Sequence, residues 1–378
     1  MKLLFFSVTK HQYRYFETLK KSFNYTSKHL FFPSFSFSLK GFRYTKQLVL
    51  TDIFAIKFKE IDCKYTNPVT KFFYKLLLKL QTPWIVSSVY SQLKVFKPDY
   101  LIVWNGKKFH QAIAVEIAKN LHIQPVFFEN GVLPNTTTMD FKGVNASNSV
   151  PRDISFFVHL QVKEDQQLPQ TLQVRESKAK KKTFDTSLPE RYIFIPFQVA
   201  YDTQIIQHSP WIKDMFELYD IIEWLSTQIN IPFVIKEHPS DRVSDYTPLY
   251  TKANKNIIFS SQNTQELIEN AACIITINSS VAMESLLFAK RVIVLGEAFF
   301  AINGIVKTAK SKEEIKTYLE TMDMWLVDGK LIKRFLTYLY YDYLIPGDWR
   351  NPSQEHLDQI DIRLKKQYDA LPHKFQQT

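Results

Sequence analysis

Short apolar runs stopped by turn formers alternate with longer stretches of helical period through most of the chain. Runs at Leu3–Val8, Tyr100–Trp104 and Gln124–Phe128 have the length and composition of buried strands. Between them His11–Phe23, Asn67–Leu80, Trp84–Phe96 and His110–Leu121 read as helices; in the last, Ile113, Ala114, Ile117 and Ala118 mark one apolar face. Residues 161–190 turn polar and lysine-rich and read as an exposed linker or flap. The alternation then restarts, with strands at 192–199, 232–236, 256–259, 273–277 and 291–295 and helices near 211–229, 263–271 and 281–289, then Lys312–Met322. This order implies parallel sheets covered on both faces. The expected architecture is α/β, with Rossmann-like domains at 1–160 and 191–330 and a helical tail at 331–378. Within the tail, Leu331–Leu344 (LIKRFLTYLYYDYL) is apolar on much of its circumference and is expected to bury itself in protein, a membrane contact being the rival.

Four of the strands end in polar residues. Gln124–Phe128 delivers Glu129 into an Asn-Gly turn, followed by a long stretch of small polar residues up to Asp153. The strand at 192–199 leads to Asp202, Thr203, Gln204, His208 and Ser209, and the strand at 232–236 to Lys236, Glu237 and His238. The run Ala272–Ile277 ends in Asn278-Ser279-Ser280, where a helix carrying Glu284 begins. Carboxyl ends of strands are where α/β proteins place ligands, and a Ser or Asn at a helix start leaves backbone N–H groups for a phosphate. Each residue also has a plain structural reading: a solvated turn for Glu129, an Asx turn or helix cap for Asp202, a helix-surface position for Glu284.

The motifs FENGVLPNTTTMDFKGVNASNSVPRD, QVAYDTQIIQHS, VIKEHPSDR, NTQELIENAACIITINSSVAMESLL and LGEAFFAINGIV resemble the bacterial capsule-synthesis β-Kdo glycosyltransferases. At Asn130 and Leu133 the chain departs from the acidic residue and the arginine common in that family. The resemblance implies a GT-B arrangement, two Rossmann-like domains facing across a cleft, with a carboxy-terminal helix, here Leu331–Leu344, crossing back to the first domain. It implies transfer of Kdo from CMP-Kdo to a lipid-linked or glycan acceptor, with retention through a covalent carboxylate intermediate and no metal cofactor. Asp202 then falls at the nucleophile and Glu129 at the base that activates the acceptor. His238, Asn278, Ser279, Ser280, Glu284, Gln204 and Lys236 are assigned to the nucleotide sugar. Arg152, Asn145 and Ser149 are assigned to the acceptor or to the Kdo carboxylate, for which a planar guanidinium is a bidentate partner. Rival readings are a transferase for CMP-sialic acid or a UDP-sugar, and a non-catalytic partner in capsule export.

Composition narrows the field. Only 8 glycines occur and no GxGxxG, which argues against a dinucleotide fingerprint. Two cysteines, Cys63 and Cys273, provide no disulfide framework, and no Cys/His spacing suits zinc. A net charge of +11 calls for an anionic partner: nucleic acid, an anionic membrane or an anionic glycan. No nucleic-acid motif supports the first. Lys71–Lys79 (KFFYKLLLK) interleaves lysines with aromatic and aliphatic residues, as a membrane surface would favour, although packing of its apolar side on the protein is the commoner use of such a helix. No run reaches the length of a membrane span, and the amino terminus lacks a cleavage site. The expected location is cytoplasmic, on the inner face of the inner membrane, with other capsule-assembly proteins as further partners.

Overall fold

The computed structural model describes residues 1–33, 36–172, 182–184 and 187–370. The chain divides into two compact units: Met1–Gly131 with Asn135–Ser149 and Tyr343–Thr378, and Val132–Pro134 with Val150–Asp342.

The first unit is built on the sheet order β12-β5-β4-β3-β1-β2, formed by β1 (Lys2–Ser7), β2 (Thr26–Phe31), β3 (Tyr100–Trp104), β4 (Gln124–Asn130), β5 (Thr136–Asp140) and β12 (Ile345–Pro346). Strands β2, β1, β3 and β4 run parallel; β5 pairs antiparallel with β4 and β12 with β5. Leu3, Phe5, Tyr100 and Ile102 alternate with Leu4, Phe6, Leu101 and Val103 toward two separate cores, one on each face, which is why these strands read as unbroken apolar runs. The helix Lys10–Ser22 starts on a capping box in which Thr9 and Gln12 satisfy each other's backbone amides.

The second unit is wholly parallel, in the order β11-β10-β9-β6-β7-β8, with β6 (Ile193–Pro196), β7 (Phe233–Lys236), β8 (Ile257–Phe259), β9 (Cys273–Thr276), β10 (Arg291–Val294) and β11 (Lys307–Thr308). In both units the strand order reverses beside the first strand, between β1 and β3 and between β6 and β9. Such reversals open a crevice at the carboxyl ends of the strands. The α/β architecture with two Rossmann-like units agrees with the expectation.

Three local expectations are corrected. Asn67–Leu80 and Trp84–Phe96 are one helix, Pro68–Phe96, that runs through Pro83. Proline removes one backbone donor, and the Thr82 hydroxyl donates to the Leu78 carbonyl at 2.6 Å beside it. The polar stretch after Glu129 contains a buried strand, β5, because its threonines are β-branched and their hydroxyls find partners: Thr137 donates to the Gly347 carbonyl and Thr138 to the Asn130 carbonyl. The hairpin requires Gly131, where a Cβ would lie 1.9 Å from the Thr136 hydroxyl oxygen. Finally, most of Leu331–Leu344 does not return to the first unit, to which only its last two residues, Tyr343 and Leu344, belong. The helix Gly329–Thr337 packs in the second unit, where Phe335 meets Phe157 edge-on at 5.1 Å. The return is made by β12 and the helix Gln354–Asp369, whose Leu357, Ile360 and Leu364 enter the first unit's core.

The unit boundary falls between Ser149 and Val150, since the short helix Ile154–Val158 belongs with Phe335. Of the expected linker at 161–190, residues 173–181 and 185–186 lie outside the described residues, and the rest has no helix or strand.

Candidate functional site

In the second unit two carboxamides brace the reversal of strand order. Gln198 follows β6 and Asn278 follows β9; both are buried. Gln198 Nε2 donates to Asn278 Oδ1 at 2.9 Å, while Gln198 Oε1 accepts from the Asn278 backbone amide and the Thr276 hydroxyl at 3.1 Å each. Asn278 Nδ2 donates to the carbonyls of Gln204 and His208 at 3.0 and 3.2 Å. Asn278, expected to meet the nucleotide, thus spends its side chain inside the protein, tying the loop after β6 to the end of β9. Gln204 enters the same network through its backbone carbonyl. Gln198 escaped sequence reading because a neutral amide at the end of an apolar run has no charge to mark it.

Asp202 caps the helix Thr203–His208, accepting from the Gln204 amide at 2.9 Å through Oδ1. It is exposed. The structural reading of this residue is therefore realised, and it engages one of the two carboxylate oxygens. Ser279 accepts from the Val281 amide at 3.2 Å, and Ser280 occupies the N-cap of the helix Val281–Leu287 with no side-chain cap bond. Glu284 in that helix is only 7% exposed, so the helix-surface reading fails.

After β7, the Ser240 amide donates to His238 Nδ1 at 3.1 Å, which makes Nε2 the proton-bearing nitrogen of the neutral ring. Lys236 donates to the Gln262 carbonyl, and burial holds its ammonium below the ordinary lysine range while Glu266 pulls the other way. Glu237 accepts from the Tyr250 hydroxyl. The loop beyond is organised by buried Asp241, which accepts from the Val243 and Ser244 amides and the Tyr246 hydroxyl at 3.1 Å each.

In the first unit Glu129 ends β4, half-buried. Its Oε2 accepts from Asn105 Nδ2 at 2.6 Å and its Oε1 from the Asn130 amide and side chain at 2.9 and 3.0 Å. Asn105 is buried at the end of β3 with a φ of 63°, in the left-handed region that Asn tolerates, and Gly106 follows at 76°. The Asn-Gly turn after β3 thus supports the one after β4, and the repeated dipeptide was the signal that could have revealed it. Lys107 in the same turn donates to the Ser147 hydroxyl at 2.9 Å.

The loop 141–149 hangs on Asp140, which sequence reading missed. Buried at 2% exposure, it accepts from the amides of Lys142 and Gly143 through Oδ1, and through Oδ2 from the amide and hydroxyl of Ser149 at 2.7 Å each and from the Tyr343 hydroxyl at 2.9 Å. Ser149, expected to face a ligand, uses its hydroxyl to fasten this loop. Asn145 opens the loop's single 3-10 turn at a φ of 55°. Arg152 lies beyond the boundary, in the second unit; it donates to the Val150 carbonyl, and its guanidinium sits 5.8 Å from the centre of the Phe299 ring. No group of three His, Cys, Asp or Glu among the described residues is placed to hold a metal ion.

Residues 169–346 match the family described as capsule polysaccharide biosynthesis protein. Protein FixF of Sinorhizobium fredii (strain NBRC 101917 / NGR234) is 34% identical over 296 residues, 76% of this chain and 71% of that protein. The chain belongs to the capsule polysaccharide biosynthesis family. Another member-like relative, the capsule polysaccharide export protein KpsS of Escherichia coli, is 26% identical over 40% of either chain. Among solved structures, the β-Kdo 2,7 transferase of Thermosulfurimonas dismutans KpsC superposes with a TM-score of 0.50 at 13% identity, over 97% of this chain and 100% of that one. At that identity the likeness speaks for the fold alone, a pair of Rossmann-like domains. The family match covers the braced sheet edge of the second unit and every residue expected to meet the nucleotide sugar. No helix among the described residues is long and apolar enough to cross a membrane.

Proposed function

We propose that this protein is a glycosyltransferase of capsule polysaccharide biosynthesis that moves Kdo from CMP-Kdo to a lipid-linked or glycan acceptor. The observation that carries the reading is the second unit's sheet edge. A buried carboxylate, Glu284, stands in the first turn after Ser279 and Ser280, beside a reversal of strand order where nucleotides bind in α/β sheets. A carboxylate so placed suits ribose hydroxyls, and the fixed Nε2–H of His238 suits the CMP phosphate as a donor. Asn278 supports this edge from behind, and Lys236 contributes positive charge.

The chemistry proposed is double displacement. A carboxylate oxygen of Asp202 attacks the anomeric carbon of Kdo, and the bonding pair leaves with CMP, whose phosphate is already a good leaving group. The acceptor hydroxyl then attacks the same carbon, its proton passes to Glu129, and the Asp202 carboxylate departs. The Asn105 and Asn130 amides hold the Glu129 carboxylate in one orientation, as a general base requires. Arg152 and Asn145 are assigned to the acceptor or the Kdo carboxylate. No metal is assigned to any step. The family description and KpsS support the pathway; the named activity of KpsC supports the sugar.

The test is binding followed by product analysis. CMP should raise the melting temperature more than UMP or GMP, because only a ligand of the native state stabilises it. Incubation with CMP-Kdo formed in situ and an acceptor panel should add one Kdo mass to an acceptor. Equal shifts with the three nucleotides remove the cytidine assignment. Product from CMP-sialic acid or a UDP-sugar alone moves the donor to that sugar, and nucleotide binding without any product favours the export-partner reading.

A further inference from the structure

The helix Pro68–Phe96 leaves an apolar stripe in solvent. Phe72, Phe73, Leu76, Leu77, Leu80 and Trp84 are all exposed, Phe72 and Leu80 at 62% and Trp84 at 51%. Their spacing of three and four residues places them on one side of the helix, over about 18 Å of its length. The opposite side is the one that packs: Leu78, Thr82, Ile85 and Val89 are buried, and Lys75 pairs with Asp62 of the helix Thr51–Lys64 at 2.7 Å. The helix is thus apolar on two sides: Leu78, Ile85, Val86, Val89 and Leu93 enter the core, and a second stripe is left in solvent beyond what packing on its own protein needs.

Cations accompany the stripe. Toward the carboxyl end of the same helix, Lys40, Arg43 and Lys94 line a groove of about 680 Å³ together with Tyr44 and Tyr90, with no acidic residue among the described residues that line it. Lys40 and Arg43 come from the short helix Leu39–Tyr44, held against the long one at Gly41, where a Cβ would stand 2.9 Å from the Ser87 backbone. Phe37, itself exposed, packs on Trp84 at 5.2 Å and joins groove to stripe.

We infer that this face of the first unit docks on an anionic phospholipid bilayer, the stripe entering the interfacial layer and the groove receiving headgroup phosphates. Charge complementarity selects this occupant. A second copy would bring an identical cationic groove to the same edge, and a neutral apolar protein partner gives three clustered cations nothing to pair with. Aromatic and aliphatic residues beside basic ones are the composition of an interfacial helix. The inference is independent of the donor sugar and of the roles of Asp202 and Glu129.

The full-length protein should co-sediment with phosphatidylglycerol vesicles, bind phosphatidylcholine vesicles at least tenfold less, and be released as salt rises. Lys40→Ala, Arg43→Ala and Lys94→Ala together should lower the partition about a hundredfold, at roughly fivefold per cation. Phe73→Ser, Leu77→Ser and Leu80→Ser together should abolish binding while leaving the melting temperature in place, since these side chains are exposed. The fluorescence blue shift on adding vesicles should shrink in Trp84→Phe, which keeps an aromatic ring there. Three results overturn the inference: no sedimentation with phosphatidylglycerol, unchanged binding by the apolar triple variant, or a concentration-dependent dimer in lipid-free buffer that this variant dissolves, which would assign the face to a second copy.

Discussion

At the edge of the first sheet a carboxylate gathers the loop, whereas at the edge of the second a pair of carboxamides does so. Asp140 can only accept, and every group that reaches it is a donor: amides of Lys142, Gly143 and Ser149 and hydroxyls of Ser149 and Tyr343. Asn278 and Gln198 both donate and accept, so they join carbonyls to an amide and to each other. Hydrogen bonds to a carboxylate are individually stronger than those within a neutral carboxamide pair. The proposed base therefore stands beside a charge-ordered loop, and the proposed nucleotide site on a neutral frame.

The largest effect that would separate the two edges is chemical. Asp202→Asn should lower Kdo transfer by roughly three orders of magnitude or more while CMP still stabilises the protein. Glu129→Gln should be slow for another reason: intact mass should show the protein plus one Kdo, stalled before acceptor activation. Near-normal turnover by Asp202→Asn returns that residue to its helix cap. Two dead variants without an adduct favour a direct displacement through Glu129.

Exchanging the two chemistries tests the frames themselves. Asn278→Asp would face a buried carboxylate with the carbonyls of Gln204 and His208 and should cost about 3–5 kcal/mol by urea unfolding. Asp140→Asn points an amide at groups that are themselves donors and should cost about 2–3 kcal/mol. If Asn278→Asp is the milder of the two, the contrast drawn between the edges is wrong.

Acid should act on the first unit. His29, His110 and His356, each held below the ordinary histidine range mainly by burial, all belong to it, and for His110 the value falls to about 4. A depressed histidine keeps its full stabilising contribution above its unfolded value near 6.5 and loses it as pH falls toward the folded value. His110 alone should withdraw up to about 3 kcal/mol between pH 6.5 and 4. Amide exchange resolved by segment should show the first unit loosening first over this range. The smallest effect belongs to the rim of the second edge, where exposed Glu297 lies 3.0 Å from His208; Glu297→Gln should change stability by less than about 1 kcal/mol.

Much of this was legible in the chain. Strands β1, β3 and β7 announce themselves as apolar runs because both faces of a parallel sheet are covered. The edge strand β2 (TSKHLF) does not, since one neighbour suffices to order it and lysine and histidine are tolerated there. Strand β5 hid because threonine looks polar until its hydroxyl is paired. At the candidate site, charged residues at strand ends stand out, but the neutral side chains that brace those ends, Asn105 and Gln198, act on Glu129 and Asn278, distant in sequence. Asn278 was noticed for its place, yet only the fold revealed that its side chain faces inward.

The chain's late return to its first unit has a consequence for biosynthesis. Tyr15, in the first helix, donates its hydroxyl to His356 Nε2 at 2.8 Å inside the core, and His356 Nδ1–H donates to the Pro346 carbonyl. Between these two partners lies the whole of Val150–Asp342, which holds a complete sheet of its own. On a ribosome adding roughly 5–20 residues per second, that stretch takes on the order of 10–40 s to make. During this interval the nascent first unit lacks β12 and the helix Gln354–Asp369, so the surface that Leu357, Ile360 and Leu364 later cover stays open. The middle of the protein can finish folding before its beginning does, and the beginning waits, in need of chaperone cover, for the last elements to be synthesised.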